Sequence, residues 1–528
     1  SWSDDGTMVA YMRFDESNVK EYWMTKWGKL YPEEHKYKYP KAGESNSIVD
    51  LYVFNINDKK STKLNTGSET DQYLPRFQWI PDKNELVFMR LNRLQNKYSL
   101  NLYSVNDQSS HEIFADSSKY WVEVPEKMVF INPRQLLTTS ERDGYNHIYQ
   151  ITFRDKKNNF IKPEITQISK GKWIVKEIKG IDTKKGIIYY LSTESSSTNS
   201  DLYKINLSGK NKIKISDAAG SWDADFNSDY TYYMGSYSNA NLAPNYSIYD
   251  MTGLHVRTLN NNDRVNKLAK ECHFQPKVLS TITLPGDITL NTWIIKPEDF
   301  DSTKKYPVLM YVYGGPGSQS VLNQWGYYDL AWYQMLAQQG YIIVCVDNRG
   351  TGGKGEEFEK CVYLQLGKFE TEDQIAAAKY FGALPYVDAN RIGIWGWSYG
   401  GYMSSLCITK GSETFKTAIA VAPVTNWRYY DNIYTERFMR TPQENADGYD
   451  NNSPINFAKK LKGNFFIIHG SADDNVHYQN SMEFINQLIK ENKQFHQFTY
   501  PNRNHNITGG YTRFHLYTML TDYILKNL

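Results

Sequence analysis

Covalent chemistry is best provided for at one serine, in Gly396-Trp397-Ser398-Tyr399-Gly400-Gly401. The apolar stretch Arg391-Ile392-Gly393-Ile394-Trp395 precedes it, and a helix-like stretch, Tyr402–Lys410, follows until Gly411. Gly-x-Ser-x-Gly between a strand and a helix is a nucleophile elbow. The turn is so tight that both flanking positions must lack a side chain. The serine hydroxyl is thereby held exposed at a helix N-terminus, where the Tyr399 N–H can bind an oxyanion. With 34 glycines in the chain, chance supplies roughly 0.1–0.2 such pentapeptides, so the weight rests on the strand before it and the helix after.

A serine needs a base, and the base an orienting carboxylate. Behind an elbow the order is serine, acid, histidine, each at the end of a later strand. The run Asn464–His469 leads into Gly470-Ser471-Ala472-Asp473-Asp474-Asn475-Val476, and Gln494–Tyr500 leads into Pro501-Asn502-Arg503-Asn504-His505. Of the ten histidines, His505 alone lies between that last strand and the C-terminal helix. Asp473 is preferred over Asp474 as the acid; the other would cap the next helix. A second oxyanion donor belongs in the loop after Val308–Tyr313, which reads Tyr313-Gly314-Gly315-Pro316-Gly317. There Tyr313 offers a phenol, or simply an aromatic packed at a strand end. After Ala418–Val421 comes Pro423-Val424-Thr425-Asn426-Trp427-Arg428-Tyr429-Tyr430-Asp431-Asn432-Ile433-Tyr434. Aromatics at a strand's C-terminal edge suggest a flat apolar pocket, with a core or subunit contact as the plainer reading.

The elements that must hold these residues read as α/β. Short apolar runs (Val308–Tyr313, Tyr341–Val346, Ile392–Trp395, Ala418–Val421, Phe465–Ile468) alternate with helical stretches, as in a mainly parallel sheet covered by helices. One predicted helix is Ser481–Lys490, with Met482, Ile485 and Ile489 on a face; another starts at Arg513, anchored by Phe514, Tyr517 and Ile524. Residues 263–528 are therefore expected to be an α/β-hydrolase domain. Before them the grammar is all-β. Leu/Ile-Tyr pairs end at Tyr52, Tyr103, Tyr149, Tyr203 and Tyr249, 46–54 residues apart, a spacing suited to β-propeller blades. Residues 1–262 are read as propeller blades, an irregular β-sandwich being the alternative. Residues 18–46 interrupt the rhythm and read as an insertion projecting from a blade, or a plain long hairpin.

Composition narrows the classes further. At 528 residues the chain needs at least two domains. A net charge of +2 argues for no nucleic-acid partner. No window is long and apolar enough for a membrane span. Ser1-Trp2-Ser3-Asp4-Asp5-Gly6 lacks the features of a signal peptide and reads as the middle of a longer protein. Cys272, Cys345, Cys361 and Cys407 form no zinc or redox motif; free buried thiols are the plain reading.

These motifs resemble the prolyl oligopeptidase family of serine peptidases, in its dipeptidyl peptidase IV branch. The similarity is densest in Gly396–Tyr402, in Val421-Ala422-Pro423-Val424 with Tyr429-Tyr430-Asp431 and Tyr434-Thr435-Glu436-Arg437, and in His469–His477. Ala10–Asp15 and Tyr39-Pro40-Lys41-Ala42-Gly43 look like the same branch. The resemblance implies a hydrolase capped by a propeller, releasing dipeptides with a penultimate proline or alanine from free N-termini. It implies a triad of Ser398, Asp473 and His505, an oxyanion hole of the Tyr313 hydroxyl and Tyr399 N–H, and a proline pocket of Val424, Trp427, Tyr430, Tyr434 and Val476. Asn475 would hold the substrate backbone. No metal or organic cofactor is implied. The branch reads the free amine with a Glu-Glu pair just upstream of the blade that begins near Trp2. That pair is absent here, and Glu33-Glu34 and Glu356-Glu357 stand in other contexts. The expectation is a fragment lacking N-terminal blades, from an exported (periplasmic, extracellular or membrane-associated) homodimer. The rivals are a tripeptidyl or endo-acting post-proline peptidase, an inert binding protein, and a small-substrate esterase.

Overall fold

The computed structural model describes residues 1–156, 159–326 and 328–528. In its first half, central strands of several sheets are buried on both faces. In Ile187–Ser192, Ile188 and Tyr190 pack with Ile148, Val175 and Tyr203, while Tyr189 and Leu191 pack with Ala224 and Tyr233. Alternate side chains point to opposite faces of a strand, so this strand lies in a sheet sandwiched between two others. Sheets of three, five, four, four and four strands stack in this way in chain order, each sharing a core with the next. The fourth is an antiparallel meander of Val175–Asp182, Ile187–Ser192, Asp201–Asn206 and Ile213–Lys214. A two-sheet sandwich does not account for five small antiparallel sheets stacked in series. The Leu/Ile-Tyr repeat has a packing cause: Leu51, Leu102, Ile148 and Leu202 are each buried within their sheets.

The insertion is a two-stranded hairpin, Glu21–Lys26 paired with Glu33–Lys38. It leaves the first sheet between Met8–Asp15 and Ile48–Asn55. Trp23, Trp27, Leu30 and Tyr31 are exposed along it.

The second half is organised by one eight-stranded sheet. Its order is Val278–Leu284, Ile288–Ile295, Ile342–Asp347, Tyr306–Tyr311, Val387–Trp397, Thr417–Val421, Asn464–Gly470, His496–Tyr500. The first two strands are antiparallel to their neighbours, and all later pairings are parallel. Met310, Ile394, Ala420 and Ile467 face one core; Leu309, Trp395, Ile419 and Ile468 face the other. Helices Lys368–Gly382, Tyr399–Lys410 and Gln479–Lys490 cover the first face, Tyr328–Gln338 and Thr512–Asn527 the second. The parallel strands therefore all end along one edge, where ligands bind in such sheets.

Two helix faces match expectation in Ile485, Ile524 and the half-buried Tyr517, and differ elsewhere. Helix Gln479–Lys490 buries Ser481, Phe484, Ile485 and Leu488, and leaves Met482 and Ile489 45% and 63% exposed. The stripe at i, i+3, i+4, i+7 centres on the larger Phe484 and Leu488. Helix Thr512–Asn527 anchors through Leu516, Leu520, Tyr523 and Ile524, while Phe514 is 75% exposed. Cys345 and Cys407 are buried and Cys361 is half-buried, but Cys272 is exposed; all four are free thiols. Among the described residues, no helix is long and apolar enough to cross a membrane.

Candidate active site

Strand Val387–Trp397 runs directly into Ser398, which caps helix Tyr399–Lys410 with φ 59° and ψ −115°. A positive φ is strained for any residue with a Cβ. The glycines make the turn feasible. A Cβ on Gly396 would lie 2.3 Å from the Val312 carbonyl oxygen, and one on Gly400 would lie 2.1 Å from it. The crowding that forbids side chains thus comes chiefly from the neighbouring strand's end. Ser398 N–H donates to the Val421 carbonyl at 2.8 Å, which ties the elbow to the strand on its other side. Tyr399 is the first helical residue, so its N–H has no partner within the helix.

Asp473 is fully buried after strand Asn464–Gly470. Its Oδ1 accepts from the N–H groups of Asn475 and Val476, both at 3.0 Å. Its Oδ2 lies 2.7 Å from His505 Nδ1. A carboxylate only accepts, so His505 carries its proton on Nδ1 and presents a basic Nε2. Burial alone would push the Asp473 carboxyl up; opposing it, led by hydrogen bonds from His469 and His505, the surroundings hold the group at about 2. Asp474, the alternative, is exposed and has no bond to His505. The base loop is joined to the elbow by Trp397 Nε1, which donates to the His505 carbonyl at 3.0 Å. No hydrogen bond joins Ser398 Oγ to the imidazole among the described residues, and in unliganded sites this contact often closes only with substrate.

Val424, Trp427 and Val476 sit together in one buried cluster, with Tyr313, Tyr430 and Tyr434 packed against it, half-buried. Trp427 lies 5.7 Å from Tyr434 in a stacked pair and 5.4 Å from the Tyr399 ring. Tyr430 meets Tyr434 edge-on at 5.4 Å and donates from its hydroxyl to Asn475 Oδ1 at 2.6 Å. This aromatic wall is continuous with the elbow. Burial raises the Tyr313 phenol above its ordinary value, which keeps it a neutral hydrogen-bond donor. Tyr313 and Tyr399 rings are 6.0 Å apart. Every candidate site residue therefore lies at the one sheet edge.

Several supports were not foreseen, because they join residues far apart in the chain. Arg93 forks onto Glu436 through two 2.8 Å bonds and also bonds Asp71, fixing helix Asn432–Met439 to the first half. Tyr37 hydroxyl lies 2.7 Å from His477 Nε2, Tyr22 stacks on that imidazole at 3.4 Å, and Tyr39 donates to the Asn475 carbonyl at 2.8 Å. Burial, then Lys41, pushes His477 down to about 3, so it is a neutral packing group and no competitor for the role of base. The hairpin also exchanges two hydrogen bonds between the Trp27 backbone and the Asn502 side chain. It thus touches both the acid loop and the base loop.

Glu370, buried, accepts from the Tyr399 hydroxyl at 2.7 Å and from Gly367 N–H at 2.9 Å. Its other oxygen has no hydrogen-bond partner among the described residues, and burial pushes the carboxyl up to about 7. A raised carboxyl binds its proton more tightly folded than unfolded, so stability falls as pH rises from about 4.5 to 7 and levels above that. The loss is roughly 3 kcal/mol. Asp347, raised to about 6 by burial, adds a slope of the same sign. In Glu370→Gln the decline in unfolding midpoint between pH 5 and 8 should flatten, while the Asp347 share persists. Identical slopes would show that Glu370 is ionised throughout.

Residues 1–244 match the family profile described as "Dipeptidyl peptidase IV (DPP IV) N-terminal region", and residues 327–528 match "Prolyl oligopeptidase family". "Probable dipeptidyl-aminopeptidase B" of Aspergillus terreus is 33% identical over 99% of this chain and 60% of its own length. "Probable dipeptidyl peptidase 4" of Aspergillus flavus is 32% identical over 96% and 68%. The crystal structure of Porphyromonas gingivalis dipeptidyl peptidase 4 superposes with a TM-score of 0.94 at 43% identity, over 100% of this chain and 74% of that one. The chain spans about three fifths of the length of the first curated relatives it matches. With a nucleophile elbow, an acid–histidine pair and these matches along both halves, the chain belongs to the prolyl oligopeptidase family of serine peptidases, in its dipeptidyl peptidase IV branch.

Proposed function

We propose that this protein is a serine exopeptidase that releases X-Pro or X-Ala dipeptides from peptides with a free N-terminus. The observation that carries the reading is the 2.7 Å bond from His505 to Asp473 beside the elbow serine. Continuity of the aromatic wall with Tyr399 supports the flat proline ring as the residue bound next to the scissile bond. Ser398 Oγ attacks the carbonyl carbon while His505 Nε2 takes its proton. The oxyanion is met by Tyr399 N–H and the Tyr313 hydroxyl, and Asp473 steadies the imidazolium. The C–N bond breaks, the leaving amine takes the proton from His505, and an acyl-serine remains. Water, deprotonated by His505, attacks the ester; Ser398 regains the proton and the dipeptide leaves. Asn475, held by Tyr430 and Tyr39, suits a contact to the substrate backbone. No step calls for a metal or organic cofactor.

The greater length of the relatives supports further propeller blades in the natural protein, carrying the carboxylates that would bind the substrate ammonium. A homodimer and an exported location follow from the family reading alone; the exposed aromatics of the hairpin and Phe514 suit a dimer face.

The test is hydrolysis of Gly-Pro-p-nitroanilide beside its N-acetylated twin by the full-length natural enzyme. Acetylation should lower kcat/KM by about 100-fold or more, because it removes a desolvated, paired charge. Equal rates would move the protein to endo-acting cleavage.

A further inference from the structure

Behind the Asp473–His505 pair lies a second buried imidazole that the mechanism above does not use. His469, 1% exposed, is near the end of strand Asn464–Gly470. Its Nε2 lies 3.1 Å from Asp473 Oδ2 and 2.8 Å from the Val476 carbonyl oxygen. Its Nδ1 lies 2.7 Å from Ser481 Oγ, on the buried face of helix Gln479–Lys490. Tyr478 closes against the ring edge-on at 5.6 Å.

The tautomer follows from the partners. A carboxylate oxygen and a carbonyl oxygen only accept, so the proton on Nε2 is shared between them. In the neutral ring Nδ1 is then an acceptor, and of its surroundings Ser481 Oγ–H donates to it. Asp473 thereby takes four donors: two backbone N–H groups on one oxygen and two imidazoles on the other. The charged or titratable groups around His469 are Asp473 in direct contact, Tyr478 against the ring, His505 across Asp473, and His477, beyond which lies Lys41.

A second donor at this place has a particular value. It fills the Oδ2 acceptor position that His505 leaves open, so the carboxylate cannot turn away. It also stabilises the anion through a second bond to the oxygen that His505 uses. Its second bond, to the Val476 carbonyl, ties the acid to the pocket cluster.

We propose that His469 is a positioning residue for the triad: locked in one tautomer by Ser481, it holds Asp473 Oδ2 in the orientation that aligns His505. This rests on reading Ser398, Asp473 and His505 as the catalytic triad.

The full-length natural enzyme is assayed on Gly-Pro-p-nitroanilide from pH 5 to 9 as wild type, Ser398→Ala, His469→Leu, His469→Gln and Ser481→Ala, with unfolding midpoints recorded. His469→Leu should lose about 10–100-fold in kcat with KM within about threefold, and the acidic limb of its rate profile should shift by about half a pH unit or more. His469→Gln can place an amide N–H where Nε2–H stood and should recover most of the rate. Wild-type kcat and profile in a folded His469→Leu would overturn the proposal. So would a His469→Gln enzyme as impaired as His469→Leu, since bulk and not the donor would then matter. If His469→Leu does not fold, Ser481→Ala decides: a kcat loss of about threefold or more with the same displaced limb supports the lock, and an unchanged enzyme overturns it. Activity in Ser398→Ala would sink the triad itself, and the proposal with it. An inactive Ser398→Ala beside an unaffected His469→Leu would remove only the role of His469.

Discussion

Ser398→Ala should reduce hydrolysis of Gly-Pro-p-nitroanilide on the order of a million-fold in kcat, with the fold intact. The size follows from the division of labour at the elbow. Without Oγ no acyl-enzyme forms, and His505 has no hydroxyl to deprotonate. Only the oxyanion donors and the pocket remain, enough for about 10³–10⁴ over the uncatalysed rate. The backbone adds a second, independent check. Alanine keeps a Cβ at φ 59° and so keeps the strain, whereas glycine is at ease there. Ser398→Gly should therefore be equally inactive yet more stable than wild type by about 1 kcal/mol. Thermal unfolding of the three proteins, run beside the assay, reads both effects. Residual activity near the wild-type level in either variant would mean that a different nucleophile works here.

How much of this was legible in the sequence depends on how local each interaction is. The elbow was legible because an apolar strand, a glycine-flanked serine and a helix follow one another directly in the chain. His505 was legible by order along the chain, since a parallel sheet delivers its strand ends to one edge. Asp473 was preferred over Asp474 in the sequence, but the geometry that separates them is not local: side chains of adjacent residues point apart, and only one turns inward to His505. The partly misjudged faces of helices Gln479–Lys490 and Thr512–Asn527 show the same limit. Apolar side chains such as Met482 and Phe514 fit a periodic stripe but face outward here. The hairpin's grip on the acid and base loops left no sequence signal, because Trp27 and Asn502 meet across 475 positions. Glu370 was hidden for a related reason: a charged residue in a helix usually reads as solvated, and only its bond to Tyr399 shows otherwise. The stack of sheets was legible as a period of Leu/Ile-Tyr pairs, whose Leu51, Leu102, Ile148 and Leu202 are buried. Which neighbour each face meets was not, since a strand buried on both sides does not name its partners.

Asp473→Asn should lower kcat about 10⁴-fold, and Asp474→Asn should leave it within about twofold. The asymmetry is a matter of donors. Asp473 is ringed by four N–H groups and offers only acceptors in return. An asparagine must turn its NH₂ toward one pair of these donors. Set against the two backbone N–H groups, it would break the loop that carries Asn475 and Val476. Turned toward His505, it forces that ring to accept on Nδ1 and carry its proton on Nε2. The base is then spent before the serine approaches, and no anion remains to steady an imidazolium. Asp474, exposed and unbonded to the histidine, has no such consequence. The pH dependence separates this loss from simple unfolding. With its carboxyl held at about 2, Asp473 is ionised at every pH where the enzyme works, so it sets no limb of the wild-type rate profile. Its depressed value does mark stability: the contribution, roughly 2 kcal/mol, is present above about pH 4 and lost as pH falls toward 2. Asp473→Asn should show that acid-sensitive share gone while the protein stays folded at neutral pH. A variant that keeps wild-type kcat would mean that His505 is oriented by something else, and the backbone N–H pair and His469 would then be holding a carboxylate of structural use alone.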